Sequence, residues 1–197
     1  MKVLVTGFEP FGSISTNCTE LVLQELKANP KIDTLLLPVE NNKCFSYLQK
    51  KMTEVEYDYV ILLGQASKRS RISIERVALN LYDFPIEDNL GKQIIDQRII
   101  ENEENALFST LPIKKILKDL GERGIEAEIS NSAGTYICNE LFFKGLNSTK
   151  NIKTHLGFIH LPLVSEQNCI NFTTVWNLSH LCLAVDVIIG ACSNSLE

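Results

Sequence analysis

Short apolar runs alternate with amphipathic stretches along most of this chain. Val3 to Val5 predict a buried strand, and Thr34 to Leu37, Tyr59 to Leu63, Ala127 to Asn131 and Leu156 to Ile159 repeat the pattern. Between them, apolar positions fall at helical spacing. A helix is predicted from about Asn17 to Ala28, with Glu20 placed after Asn17 as in a capping box. Cys44, Phe45, Leu48 and Met52 mark the inner face of a second helix. Ile113, Ile116, Leu117 and Leu120 mark a third, with Pro112 in its first turn and Gly121 at its end. A last helix, about Ser179 to Cys192, is apolar on most faces and predicts deep burial or a partner subunit.

Residues 68 to 100 break this rhythm. Ile72, Ile74 and the alternation Val77, Leu79, Leu81 read as extended chain, and Asp88-Asn89-Leu90-Gly91 reads as a turn. Elsewhere strands alternate with helices, which predicts one α/β domain over residues 1–197 with a largely parallel twisted sheet covered on both faces. Working residues of such sheets collect beyond the carboxyl ends of the strands. Phe8, Phe11, Gln65, Cys138 and His160 all fall at such ends, so a shared crevice is expected.

Composition narrows the class. A chain of 197 residues with 45% hydrophobic and 22% charged residues is an ordinary globular protein. Its net charge of −5 argues against a nucleic-acid partner, and the short basic run Lys68-Arg69-Ser70-Arg71 reads as a solvated loop. The start lacks the pattern of a signal peptide, and Leu181 to Ile189 is too short to span a bilayer. A cytoplasmic protein without membrane association is expected. The cysteines at 18, 44, 138, 169, 182 and 192 are scattered with no C-x-x-C pair, so no metal site is expected.

Cys138 is where chemistry enters. It follows Asn131-Ser132-Ala133-Gly134-Thr135-Tyr136-Ile137, a strand end and small-residue turn leading into a probable helix start. Unpaired N–H groups and the positive end of the macrodipole at that position favour thiolate over thiol. His160, in Gly157-Phe158-Ile159-His160-Leu161-Pro162, is a candidate base. Glu75, in Ser73-Ile74-Glu75-Arg76, faces opposite to its neighbours if strand alternation holds, and is a candidate to orient the imidazole. Singly, His160 reads more readily as a core histidine and Glu75 as an exposed carboxylate, while Cys138 reads equally as a buried inert cysteine. Together they supply the parts of a cysteine hydrolase: a nucleophile, a base and a carboxylate to hold the base. Gly7-Phe8-Glu9-Pro10-Phe11-Gly12 lacks the G-x-G-x-x-G spacing and a Lys-Ser/Thr pair, so no nucleotide cofactor is expected; its phenylalanines suit the walls of a flat apolar pocket.

These blocks resemble the pyrrolidone-carboxylate peptidase (pyroglutamyl-peptidase I) family of cysteine peptidases nearly end to end. The resemblance rests on Thr6 to Gly12, Gly64-Gln65-Ala66, Glu75 to Asn80, Asp88-Asn89-x-Gly91, Leu111 to Lys114, Ser132 to Asn139, Gly157 to Pro162 and Glu166-Gln167. It implies an α/β/α sandwich, a cytosolic homotetramer, no cofactor, and removal of an N-terminal pyroglutamyl group from peptides. The family's catalytic residues fall on Glu75, Cys138 and His160. Its lactam slot falls on Phe8, Phe11, Ile86 and Ile137, with the backbone near Gln65 hydrogen-bonding the lactam. Four departures stand out. Pro85 replaces a frequent active-site arginine, Ser67-Lys68 replaces Gly-Gly, Glu140 replaces a histidine and Cys18 replaces a proline. They leave open a cysteine amidase or acyl transferase acting on another small amide, or a non-catalytic relative.

Overall fold

The computed structural model describes residues 1–12, 15–27, 29–167 and 176–193. Its strands are β1 (Val3–Phe8), β2 (Ile32–Leu37), β3 (Tyr59–Gln65), β4 (Ile72–Glu75), β5 (Val77–Leu79), β6 (Ala106–Phe108), β7 (Ala127–Ser130) and β8 (His155–Leu161). The helices are α1 (Cys18–Leu26), α2 (Lys43–Glu54), α3 (Ile113–Glu122), α4 (Ile137–Thr149) and α5 (Leu178–Ser193). A six-stranded sheet has the order β2-β1-β3-β8-β4-β7, and β5 pairs with β6 in a separate ribbon. Only β4 against β8 is antiparallel in the large sheet, so the expected largely parallel sheet is what forms.

Both faces of that sheet are covered, which is why its strands read as continuous apolar runs. Val3, Val5, Ile61, Leu63, Ile159 and Leu161 face a layer made by α1, α3 and α5. Leu4, Val60, Leu62, Leu156 and Phe158 face the layer made by α2 and α4. The apolar α5 is explained by burial: Leu181, Ala184, Val185, Ile188 and Cys192 pack inward, while Leu183 remains exposed. No helix among the described residues is long and apolar enough to cross a membrane.

Several boundaries differ from the sequence reading. β1 continues through Gly7 and Phe8, because β2 goes on pairing with it to Phe8↔Leu37. Asn17 caps α1 by accepting from Thr19 N at 3.0 Å, one residue short of a capping-box contact. α3 runs past Gly121 to Glu122 and is followed by Gly124 at φ 70°, the left-handed position that ends it. β6 had no pattern long enough to mark it. The Asp88–Gly91 turn forms as read, with Gly91 N donating to Asp88 O at 2.9 Å.

Gly157 in β8 marks a close approach. An added Cβ would lie 2.4 Å from Ser109 Oγ and 2.6 Å from Leu111 Cδ1. Gly157→Ala is therefore expected to destabilise the protein by about 1–3 kcal/mol through overpacking. Urea unfolding checks this, and an unchanged midpoint would contradict the packing described.

Candidate active site

The chain leaves β1 for β2 on one side and then crosses to β3 on the other, so the strand order reverses between β1 and β3. A crevice beyond the carboxyl ends of the strands is expected at such a point. The register shows how it opens. β1 and β3 pair only as far as Thr6↔Leu62, although β1 stays with β2 to Phe8 and β3 stays with β8 to Gln65. The strands splay, and a cavity of about 160 Å³ fills the gap. It is lined by Phe8, Phe11, Asn17, Val39, Gln65, Ala133, Tyr136, Ile137, Cys138 and His160. Two larger hollows, about 670 and 710 Å³, are lined by neither Cys138 nor His160.

Splaying also exposes backbone. Ala66 N donates to Leu161 O at 2.9 Å, so residues 64 and 66 direct their amide groups at β8. Alternation along the strand then turns the N–H and C=O of Gln65 toward β1, where the ladder has already ended. The Gln65 side chain serves the scaffold: its Oε1 accepts from Cys18 N at 2.9 Å and Gln167 Nε2 at 2.6 Å.

Cys138 is the second residue of α4 and is half-buried. Its sulfur sits over β3, 3.1 Å from where a Cβ on Gly64 would stand. Gly64 is the in-register partner of His160 on the adjacent parallel strand, so the absent side chain of Gly64 is the seat of the sulfur beside the imidazole. The start of α4 is pinned by Asn139, which accepts from Leu79 N and donates to Leu79 O and Leu81 O. The preceding turn is clasped by the 83–87 loop, through Thr135 Oγ1 to Asp83 O and Tyr136 OH to Glu87 O.

His160 is 5% exposed, and its Nδ1 lies 2.7 Å from Oε1 of the wholly buried Glu75. The antiparallel β4 brings them together. Ser73 lies opposite His160 and Glu75 opposite Phe158, so Glu75 is the diagonal neighbour of His160 on one face. A long carboxylate side chain spans that diagonal. The bond puts the proton on Nδ1 and leaves the Nε2 lone pair free.

The electrostatics overturn one expectation. Burial first, then the Glu75 charge, push the Cys138 thiol up to about 12, against the smaller effects of Arg69 and its own backbone N–H. The His160 pKa is lowered, mainly by burial, against the hydrogen bond to Glu75. Both resting partners are therefore neutral: a thiol beside an imidazole. The helix start does not outweigh desolvation.

Phe8, Phe11, Gln65, Ile137, Cys138 and His160 thus share one cavity, and Glu75 supports it from behind. Ile86 does not line it; at 48% exposure it lies on the outer loop. Asn17, Val39, Ala133 and Tyr136 also line it, although none of them was read from the sequence as a site residue. Arg69, read as part of a solvated run, instead bonds Glu75 Oε1 at 2.5 Å and Ser132 O at 3.0 Å. Its neighbours Lys68, Ser70 and Arg71 are exposed, so only the fold distinguishes it. Glu140 is wholly buried, accepting from Asn41 Nδ2, Asn42 N and Lys144 Nζ. Among the described residues, no group of three or more His, Cys, Asp or Glu converges to hold a metal ion.

A pyrrolidone-carboxylate peptidase of Pyrococcus furiosus is 47% identical over 173 residues, covering 85% of this chain and 83% of that protein. The pyrrolidone carboxyl peptidase from Thermococcus litoralis superimposes with a TM-score of 0.94 at 36% identity, over 99% of this chain and 94% of the other. The pyroglutamyl peptidase I of Bacillus amyloliquefaciens gives 0.93 at 32% identity, over 98% and 97%. The family described as pyroglutamyl peptidase matches residues 1–194, and this chain belongs to it.

Proposed function

We propose that this protein is a cysteine peptidase that removes an N-terminal pyroglutamyl residue from peptides. The observation that carries this reading is the juxtaposition of a thiol, a buried imidazole and a free backbone amide edge around one small apolar cavity. At about 160 Å³ it is smaller than the roughly 300–1,000 Å³ typical of drug-sized pockets. It suits a single five-membered ring between Phe8 and Phe11, with the Gln65 N–H and C=O available to the lactam. Pyroglutamate has no α-ammonium group, so entering an apolar slot desolvates no charge.

Cys138 attacks the exocyclic carbonyl while its proton passes to His160 Nε2. The carbon–nitrogen bond then breaks, and the imidazolium returns that proton to the departing amine, leaving a thioester. Water gives a proton to His160 and attacks the thioester, and the proton returns to the sulfur as pyroglutamate leaves. Glu75, bonded to Nδ1, holds the ring and stabilises the imidazolium in each half-reaction. The backbone N–H of Cys138, beside its own sulfur, is placed to donate to the developing oxyanion. We extend the proposal to a single peptidase domain over residues 1–197, acting in the cytoplasm as a homotetramer. The family resemblance supports this extension.

Purified protein is expected to release a chromophore from a pyroglutamyl amide, and Cys138→Ala to lower kcat/KM by about a thousandfold or more. The prolyl amide, lacking the lactam carbonyl, is expected to react at least about 10⁴-fold more slowly. Preference for prolyl or alanyl amides would contradict the slot assignment. The base must be neutral, and its pKa is depressed, so the acid limb of kcat/KM is expected below the ordinary histidine value of about 6.5. The thiol is elevated, so iodoacetamide labelling of Cys138 is expected to rise steadily from pH 7 to pH 9. A labelling plateau across that range would instead reveal a preformed thiolate–imidazolium pair.

A further inference from the structure

Arg69 lies outside the cavity lining, yet its guanidinium joins two parts of the active site. Nη1 bonds Glu75 Oε1 at 2.5 Å, and Nη2 bonds the backbone carbonyl of Ser132 at 3.0 Å. Glu75 belongs to β4, whereas Ser132 belongs to the turn that delivers Cys138 to the start of α4. The same Oε1 accepts from His160 Nδ1, while Oε2 is buried with no hydrogen-bond partner among the described residues. The loop carrying Arg69 is itself held: Arg69 N donates to Ala66 O, and Trp176 Nε1 donates to Ser70 O, each at 3.0 Å. Its side chain is 29% exposed, so this is a wedged cation rather than a solvated one.

We infer that Arg69 is a positioning residue of this site, a single fork that fixes the Glu75 carboxylate to the Cys138 turn and offsets its charge. The physical need follows from the charge count. When the thiol gives its proton to His160, the site holds a thiolate, an imidazolium and a carboxylate, a net negative cluster with little water. Glu75 stabilises the imidazolium but repels the thiolate. A guanidinium on Glu75 reduces that repulsion without entering the slot. Among the described residues, the ionisable groups facing this cluster are Glu75 from β4, His160 from β8, Arg69 from its loop, Tyr136 before α4 and Cys44 from α2. Arg69 is the cation among them.

The inference rests on the peptidase reading for its kinetics but not for thiol labelling. Arg69→Met and Arg69→Lys are to be compared with wild type by kcat, KM, the acid limb, and iodoacetamide labelling of Cys138 followed by peptide mass spectrometry. For Arg69→Met, kcat is expected to fall about tenfold or more with KM within about twofold, since Arg69 does not line the slot. The acid limb is expected to move to higher pH, because a cation that lowers the His160 pKa has gone. Labelling at pH 8 is expected to slow, because the same cation lowers the thiol pKa. Arg69→Lys is expected to restore the acid limb and labelling while leaving kcat about threefold or more below wild type, since an ammonium cannot reproduce the fork. Wild-type kcat, acid limb and labelling in Arg69→Met would overturn the inference. If that variant does not fold, wild-type kcat in Arg69→Lys overturns it and a reduced kcat supports it. If wild type ignores pyroglutamyl amides but labelling slows in Arg69→Met, the positioning role stands and the substrate reading falls.

Discussion

The hydrogen bond from His160 Nδ1 to Glu75 Oε1, 2.7 Å long, decides what this site can do. It selects the tautomer whose Nε2 is a free base, and it supplies the countercharge that a buried imidazolium requires. Without it, burial would leave His160 able to rotate and reluctant to take a proton. The sheet topology exists around this contact. β4 runs against β8 where every other pair in the large sheet is parallel, and that reversal gives the diagonal on which a glutamate reaches a histidine.

The second constraint is space. Gly64 has no side chain, so the Cys138 sulfur and the Phe158 ring both occupy the room above β3; an added Cβ would sit 2.6 Å from that ring. Beside it, the early end of the β1–β3 ladder leaves an amide edge facing an apolar cavity. Nucleophile, base and recognition surface are thus three consequences of one local event, the parting of two parallel strands at a topological switch point. Desolvation accompanies the arrangement and keeps both the thiol and the imidazole neutral at rest, so charge separates only as substrate reacts.

Much of this was legible in the chain. The 3.6 and strand-length periodicities located α1, α2, α3 and most strands, because buried parallel strands and amphipathic helices are strong patterns; α4 followed from the small-residue turn before Cys138 and α5 from its apolar run. Cys138, His160 and Glu75 each stood at a position where strand alternation or a helix start gave a reason to look. Other features were hidden because they depend on partners distant in sequence. β6 is a short ribbon strand defined by its pairing with β5. Arg69 differs from Lys68 and Arg71 only in what it meets after folding. The thiol was read as activated from its place at a helix start, but local sequence carries no measure of desolvation, which dominates there. Ile86 followed from resemblance rather than from any pattern, and it is exposed, off the cavity lining.

Nitrogen-15 NMR of the histidine side chains tests the central contact most directly. The account predicts that His160 at pH 7 is neutral, protonated on Nδ1, and becomes imidazolium only below about pH 6.5. An Nε2-protonated tautomer, or an imidazolium already present at pH 7, would contradict it.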